Sequence, residues 1–246
     1  MFFLRALIFQ IVFYTWSTLV CGLGTLAVLT PGRGTAIIVE TFWSRSVQWL
    51  LKYIVGLKVE FRGRENLGKG PLILAVKHQS AWDTIVFASI VHDPIFVFKR
   101  SLLAIPFYGW FLYKLGMIGV DRDAGGSALK EMVRQARKMM ARGCRYILIF
   151  PEGTRSPPGA PPDYLPGVAG MYSMLKIPVV PVALNSGLFW ARRRFVIFPG
   201  TITLEFLPPI PPGLSRDVFM GELQGGIEAK TAALLDEGRE RFPYLP

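Results

Sequence analysis

The chain has 246 residues, 51% of them hydrophobic and only 18% charged, with a net charge of +11 at pH 7. That length suits one domain with a full core, and a composition both apolar and basic points to an anionic membrane surface or an anionic substrate. Nucleic acid is set aside as a partner: no helix-turn-helix, zinc or RNA-binding signature occurs, and the basic residues are scattered. The one run, Arg192-Arg193-Arg194, reads as a solvated charged turn. Cys21 and Cys144 have neither metal-ligand spacing nor a disulfide framework, which fits a reducing cytoplasm.

In chain order, residues 6–29 contain no charge. As a helix they extend about 36 Å, enough to cross a bilayer core. A retained anchor is expected rather than a cleaved signal, since no small-x-small site follows. Tyr14 and Trp16 lie mid-segment with Gln10, Thr15 and Ser17, which leaves open a helix that dips in without crossing. Gly22-x-Gly24-x-x-Ala27 lies inside this run and reads as small residues at a helix contact, not a dinucleotide fingerprint. After a break at 30–34, residues 35–57 predict a second, amphipathic helix whose Trp43, Trp49 and Tyr53 suit a membrane interface or packing on the globular domain. Positive charge is heavier after the first segment, so the remainder is expected on the cytoplasmic side. The expected division is therefore 1–57 as membrane-binding helices and 58–246 as the globular domain.

Within that domain, residues 58–62 predict an edge strand. Gly63 to Gly70 is a near miss for a phosphate-binding loop, lacks its Ser/Thr, and reads as a turn. Apolar strands are predicted at 71–76, 94–98, 117–120, 146–150, 178–184, 195–198 and 201–206. Helices are predicted at 84–91, from a cap at Ser101 onward with a break near Pro106 and Gly109, and at 127–142, 167–176 and 216–241, the last weakened by Gly225-Gly226. Strands alternating with helices argue for an α/β fold with a mixed, largely parallel central sheet covered by helices.

The chemistry concentrates at Lys77-His78-Gln79-Ser80-Ala81-Trp82-Asp83. On one continuous helix His78 and Asp83 would point roughly 140° apart. With His78 at a strand end and Asp83 opening a helix, the loop folds the carboxylate onto Nδ1 and leaves Nε2 free to take a proton. An isolated H-x4-D spacing is weak by itself. His92-Asp93 is a second His/Asp pair, but adjacent side chains do not readily face each other. No serine sits in a G-x-S-x-G elbow, so no acyl-enzyme is expected.

Four segments in this order resemble the blocks of the glycerolipid acyltransferases: His78 to Asp83, Gly116 to Arg122, Phe150 to Ser156 and Ile177 to Val182. The whole chain is similar to the bacterial 1-acylglycerol-3-phosphate acyltransferases, including a membrane-binding helix pair. The resemblance implies transfer of a fatty acyl group from acyl-CoA or acyl carrier protein to the 2-hydroxyl of lysophosphatidic acid, at the inner membrane, without metal or cofactor. It implies His78 as base, Asp83 as its partner, Lys99 and Arg100 near the phosphate, and Arg122, Glu152, Gly153, Thr154 and Arg155 in the acceptor site. Glu152 would hold a glycerol hydroxyl or align an arginine; a structural pair with Arg155 is the alternative. A backbone N–H is expected to serve the oxyanion. Glycerol-3-phosphate or another lysolipid remains an alternative acceptor, and a non-catalytic membrane-binding protein the alternative class. Three positions depart from the family pattern: Lys77 where asparagine is common, Ser101 where an acid is common, and Gly119 in place of a bulky residue, which would widen an acyl pocket.

Overall fold

A computed structural model describes residues 1–121 and 124–245. Two helices open the chain, α1 (Phe2–Leu29) and α2 (Gly34–Leu50), the latter running into a π-helical turn at Leu51–Val55 that Gly56 ends at a positive φ. The rest is strands β1 (Leu57–Arg62), β2 (Leu72–Val76), β3 (Pro94–Lys99), β4 (Ile118–Val120), β5 (Tyr146–Ile149), β6 (Val179–Leu184) and β7 (Gly200–Phe206). Between and after them lie α3 (Trp82–Ile90), α4 (Tyr108–Leu115), α5 (Gly125–Met140), α6 (Gly167–Leu175), α7 (Ser186–Phe189) and α8 (Arg216–Arg241).

The seven strands form one sheet in the order β1-β7-β6-β2-β5-β3-β4. Only the β6–β7 pairing is antiparallel. The expected mixed, largely parallel sheet is therefore present, with β1 at an edge. β2 lies at the centre and is buried along its whole length. Its alternate residues face opposite layers: Leu72, Leu74 and Val76 meet Phe9, Val86 and Leu188, while Ile73 and Ala75 meet Met132, Ala136 and Phe219. A strand covered on both faces has no position for a polar side chain, which is why it reads as an unbroken apolar run.

The amino-terminal helices join this core. Phe9, Val47, Leu51 and Val55 belong to the same apolar cluster as β2 and β6. The α1–α2 contact uses Gly24 and Ala27, both buried; a side chain at Gly24 would press on Val39, whereas Gly22 is in open space. Two indole groups cross the contact reciprocally, Trp16 Nε1 to Ser46 Oγ (2.7 Å) and Trp43 Nε1 to Ser17 Oγ (3.0 Å). Each would otherwise be an unpaired donor in an apolar seam.

Several local expectations change. Residues 195–198 form no strand; they are anchored by Phe198 N–H on Phe189 O (2.9 Å), and the chain before them turns through α7. Ser101 caps nothing: the segment begins as a 3-10 turn, Arg100–Ala104, and α4 starts only at Tyr108, after Pro106 and after Phe107 at φ +63°. α8 covers the expected 216–241 as one helix through Gly225 and Gly226, because Phe219, Leu223 and Ile227 bury against the sheet. His92-Asp93, by contrast, is as expected not a dyad: Asp93 accepts two bonds from Arg33 (2.6 and 3.0 Å), and His92 is exposed.

Glu40 on α2 has Oε2 sealed from solvent without a partner. Burial, with a smaller push from Asp93, raises its carboxyl from 4.5 to about 8. The folded state therefore holds this proton more tightly than the unfolded chain. Its stabilising contribution is complete below about pH 4.5 and is lost as pH rises through about 8. Glu40→Gln is expected to raise the thermal midpoint relative to wild type at pH 8–9 and to match it near pH 4.5, as read by a calorimetric pH series.

Candidate active site

Five parallel strands end on one edge of the sheet, and each delivers a segment singled out in the sequence. β2 leads to His78, β5 to Glu152, β6 to Ser186, β3 to Lys99 and Arg100, and β4 towards Arg122. The carboxyl edge of such a sheet is where backbone ends and helix starts leave room for a ligand. Arg122 itself lies outside the described residues.

His78 and Asp83 do meet. Nδ1 lies 3.0 Å from Asp83 Oδ2, and Asp83 is fully buried. The loop is closed by the carboxylate itself: Oδ2 also accepts the backbone N–H groups of Gln79 (2.7 Å) and Ser80 (2.8 Å), and Oδ1 accepts the Ser186 hydroxyl (2.6 Å). A carboxylate in this position accepts only, so Nδ1 carries the imidazole proton and Nε2 is the free acceptor. The ring is fixed from the other side by Phe150, stacked at 3.9 Å between centroids and 21° between planes. His78 retains a narrow opening to solvent, 10% of its side chain.

Glu152 is placed differently from expectation. It makes no pair with Arg155 and is buried, facing inward. Oε1 accepts from Lys77 Nζ (2.7 Å), and Oε2 accepts the His78 backbone N–H (2.9 Å). Its two oxygens are turned to Lys77 and the His78 backbone rather than to an arginine, and it ties the end of β5 to the histidine loop. Lys77 continues the network to Glu228 on α8 (2.7 Å), which also accepts from the Tyr164 hydroxyl (2.8 Å). Burial and the neighbouring Glu228 push the Tyr164 phenol above its usual range, so it remains a donor. The departure from asparagine at position 77 thus belongs to a buried ion network.

Gly153 has φ +62°, a conformation suited to glycine, and it turns the chain from Glu152 towards exposed Thr154 and half-buried Arg155. Its N–H donates to Phe150 O (2.9 Å). With the N–H groups of Gln79 and Ser80 also committed, none of these three is available to an oxyanion in this arrangement. Lys99 and Arg100 are exposed at the end of β3. β3 is two strands from β2, about 10 Å along the edge at ordinary strand spacing. Gly119 does not enlarge a pocket: a side chain there would meet Leu103 at 3.3 Å and the Arg100 backbone at 3.5 Å.

Residues 58–185, just over half of the chain, match the Acyltransferase family. The chain belongs to that family. The acyltransferase fold extends well past the matched segment: the crystal structure of the 1-acyl-sn-glycerophosphate (LPA) acyltransferase from Thermotoga maritima superposes with a TM-score of 0.74 over 95% of this chain and 98% of that one, at 22% identity. In sequence, the chain is 34% identical over 195 residues to the 1-acyl-sn-glycerol-3-phosphate acyltransferase of Pseudomonas aeruginosa, covering 79% of this chain and 74% of the relative. The Saccharomyces cerevisiae protein of the same name is 29% identical over 77% of this chain and 64% of its own length.

Ser186, Phe150, Glu228 and Gln79 join the His78 cluster through contacts that spacing did not reveal. Gln79 Oε1 accepts the Gly187 N–H (3.0 Å) and so locks the histidine loop to α7. Ser186 lies 103 positions from Asp83 and Glu228 lies 151 from Lys77, so only folding brings them together. The available signal was position: Ser186 follows a buried strand in the same parallel set. Ser186→Ala removes one of four donors from a buried carboxylate and is expected to lower stability by about 1.5–3 kcal/mol, measured by urea denaturation.

Proposed function

We propose that the protein transfers a fatty acyl group from a thioester to the 2-hydroxyl of a 1-acylglycerol-3-phosphate, giving phosphatidic acid at a membrane surface. The observation that carries this reading is the His78–Asp83 pair, oriented on both sides and opening on the carboxyl edge of the sheet. The names of the similar proteins supply the acceptor.

An alcohol is a poor nucleophile at neutral pH and needs a base as the new bond forms. Nε2 takes the hydroxyl proton while the oxygen attacks the thioester carbonyl. The tetrahedral intermediate then collapses, the carbon–sulfur bond breaks, and the imidazolium returns its proton to the leaving thiolate. Nucleophile and leaving group both come from substrates, so the chemistry calls for no bound cofactor. Asp83 stabilises the imidazolium and holds the ring. Lys99 and Arg100 suit the acceptor phosphate, and Arg155 and Arg122 fit the same charge; guanidinium forks match phosphate oxygens.

The membrane reading rests on α1, which is long and apolar enough to cross a bilayer by length and composition. Its packing favours lying in one leaflet. At its start, Phe2 packs on Phe198 and Tyr244; at its end, Lys114 Nζ donates to Val28 O (3.0 Å) and to Thr30 O. Both ends are thus held on the same globular body, while Leu4, Leu7, Ile11, Leu23 and Leu26 remain exposed. A side facing the body and a side facing outward suit an in-plane helix.

The test is a coupled assay with the full chain in vesicles, 1-acylglycerol-3-phosphate and a long-chain acyl-CoA. Thiol release and phosphatidic acid are expected in equal amounts. Thiol release without phosphatidic acid would make the protein a thioesterase. Product only with glycerol-3-phosphate or another lysolipid would move the acceptor, and product only with acyl carrier protein would fix the donor.

A further inference from the structure

We propose that the Arg192–Arg194 turn is a docking surface for anionic phospholipid headgroups, seating the mouth of the His78 site on the membrane. The turn follows α7, six residues after the Ser186 that holds Asp83. It is a shaped element. Arg194 N–H donates to Ala191 O (3.2 Å), and Arg193 has φ +62°, a backbone state that residues with side chains rarely adopt. Arg192 reaches back over the catalytic edge, donating from Nη1 to Arg155 O (3.0 Å) and Thr154 Oγ1 (3.3 Å). The turn and the loop beside His78 are thereby one unit.

All three arginines are exposed, and no carboxylate among the described residues pairs with any of them. Three adjacent unpaired cations repel one another and call for an anionic partner. What lies next to them identifies that partner. Phe195 is 43% exposed, and its ring sits 5.1 Å from that of Phe3. Phe3 begins the exposed apolar strip of α1, which continues through Leu7 and Ile11. An apolar strip bordered at one end by unpaired guanidinium groups matches a leaflet, with acyl chains against the strip and phosphates at the arginines. An acidic protein surface would match the turn but leave the strip uncovered.

This inference rests on the in-plane reading of α1, and the test separates the two. The full-chain wild type and Arg193→Gly/Arg194→Ala are compared by cosedimentation with phosphatidylcholine vesicles and with vesicles containing phosphatidylglycerol. Glycine relieves the left-handed position, and Arg192 is retained because it holds the loop. Two arginines near an anionic surface contribute about fivefold each, so affinity for the anionic vesicles should fall about 25-fold. Binding to neutral vesicles and turnover in neutral detergent should not change. Lysine at both positions should retain most of the anionic preference. Wild type binding neutral and anionic vesicles equally would overturn this proposal alone, and wild type binding neither would overturn the α1 reading as well. Equal loss of the variant on both vesicles would make the role structural. An increased KM for acyl carrier protein with unchanged vesicle affinity would reassign the turn to the donor.

Discussion

His78→Ala is expected to lower turnover by about 10²- to 10⁴-fold, the usual contribution of a positioned acid–base group, while the protein stays folded. The asymmetry follows from how Asp83 is held. Removing the imidazole leaves the carboxylate with three donors, from Gln79 N–H, Ser80 N–H and the Ser186 hydroxyl, so no buried charge is stranded. Phe150 loses a stacking partner at a position that already opens to solvent. The thermal midpoint should therefore move by a few degrees at most, and the far-ultraviolet spectrum should be unchanged. Initial rates of phosphatidic acid formation check the prediction; a variant retaining half the wild-type rate would remove His78 from the chemistry.

Lys77→Met should show the opposite pattern, with a large loss of stability. The methionine roughly conserves volume but removes the cation from Glu152, whose side chain is only 1% exposed. Breaking a buried ion pair by deleting one partner typically costs about 3–5 kcal/mol, because the remaining charge has neither water nor a counter-ion. That is a large part of the roughly 5–15 kcal/mol by which a protein of this kind is stable. Glu152 also fixes the His78 backbone N–H (2.9 Å), so activity should fall along with stability. The double variant Lys77→Met/Glu152→Gln should recover at least about 1 kcal/mol, since the amide oxygen still accepts from His78 N–H and the carboxylate left without Lys77, Glu228, is 24% exposed to water. Urea denaturation of wild type, both single variants and the double variant reads the coupling directly. A single variant within 1 kcal/mol of wild type would mean that the lysine is dispensable.

The two expectations differ because the two partners of the site differ in supply. Asp83 is surrounded by fixed donors from the histidine loop and from α7. Glu152 depends on one side chain for neutralisation at Oε1, and that side chain is shared with Glu228, 24% exposed on α8. The carboxyl-terminal helix is thus connected to the histidine loop through two ion pairs.

Much of this architecture was legible in the residue order. The buried strand ending in His78 was readable because a strand covered on both faces must be apolar throughout, and Leu72–Val76 is. The fold of Asp83 onto His78 was readable because a strand end followed by a helix start leaves a loop of fixed length. The α/β alternation, the edge position of β1 and the amphipathic α5 follow from the same short-range patterns. What was misread was also local in appearance. Residues 195–198 have the composition of a strand, but Phe198 N–H bonds to Phe189 O at the end of α7 instead of to a strand. The single helix expected over 216–241 did form despite its two glycines, because burial of its apolar side outweighs their lower helix propensity.

The sequence by itself determined most of the apolar strands, the histidine loop and the apolar amino-terminal helix, because each depends on periodicity or on residues a few positions apart. Only the tertiary structure decided which way Glu152 faces, what neutralises Lys77, that Ser186 completes Asp83, and that α1 is held at both ends by the globular body. Those contacts join residues 74 to 242 positions apart, and no local pattern encodes a contact whose partner is supplied by another strand or helix.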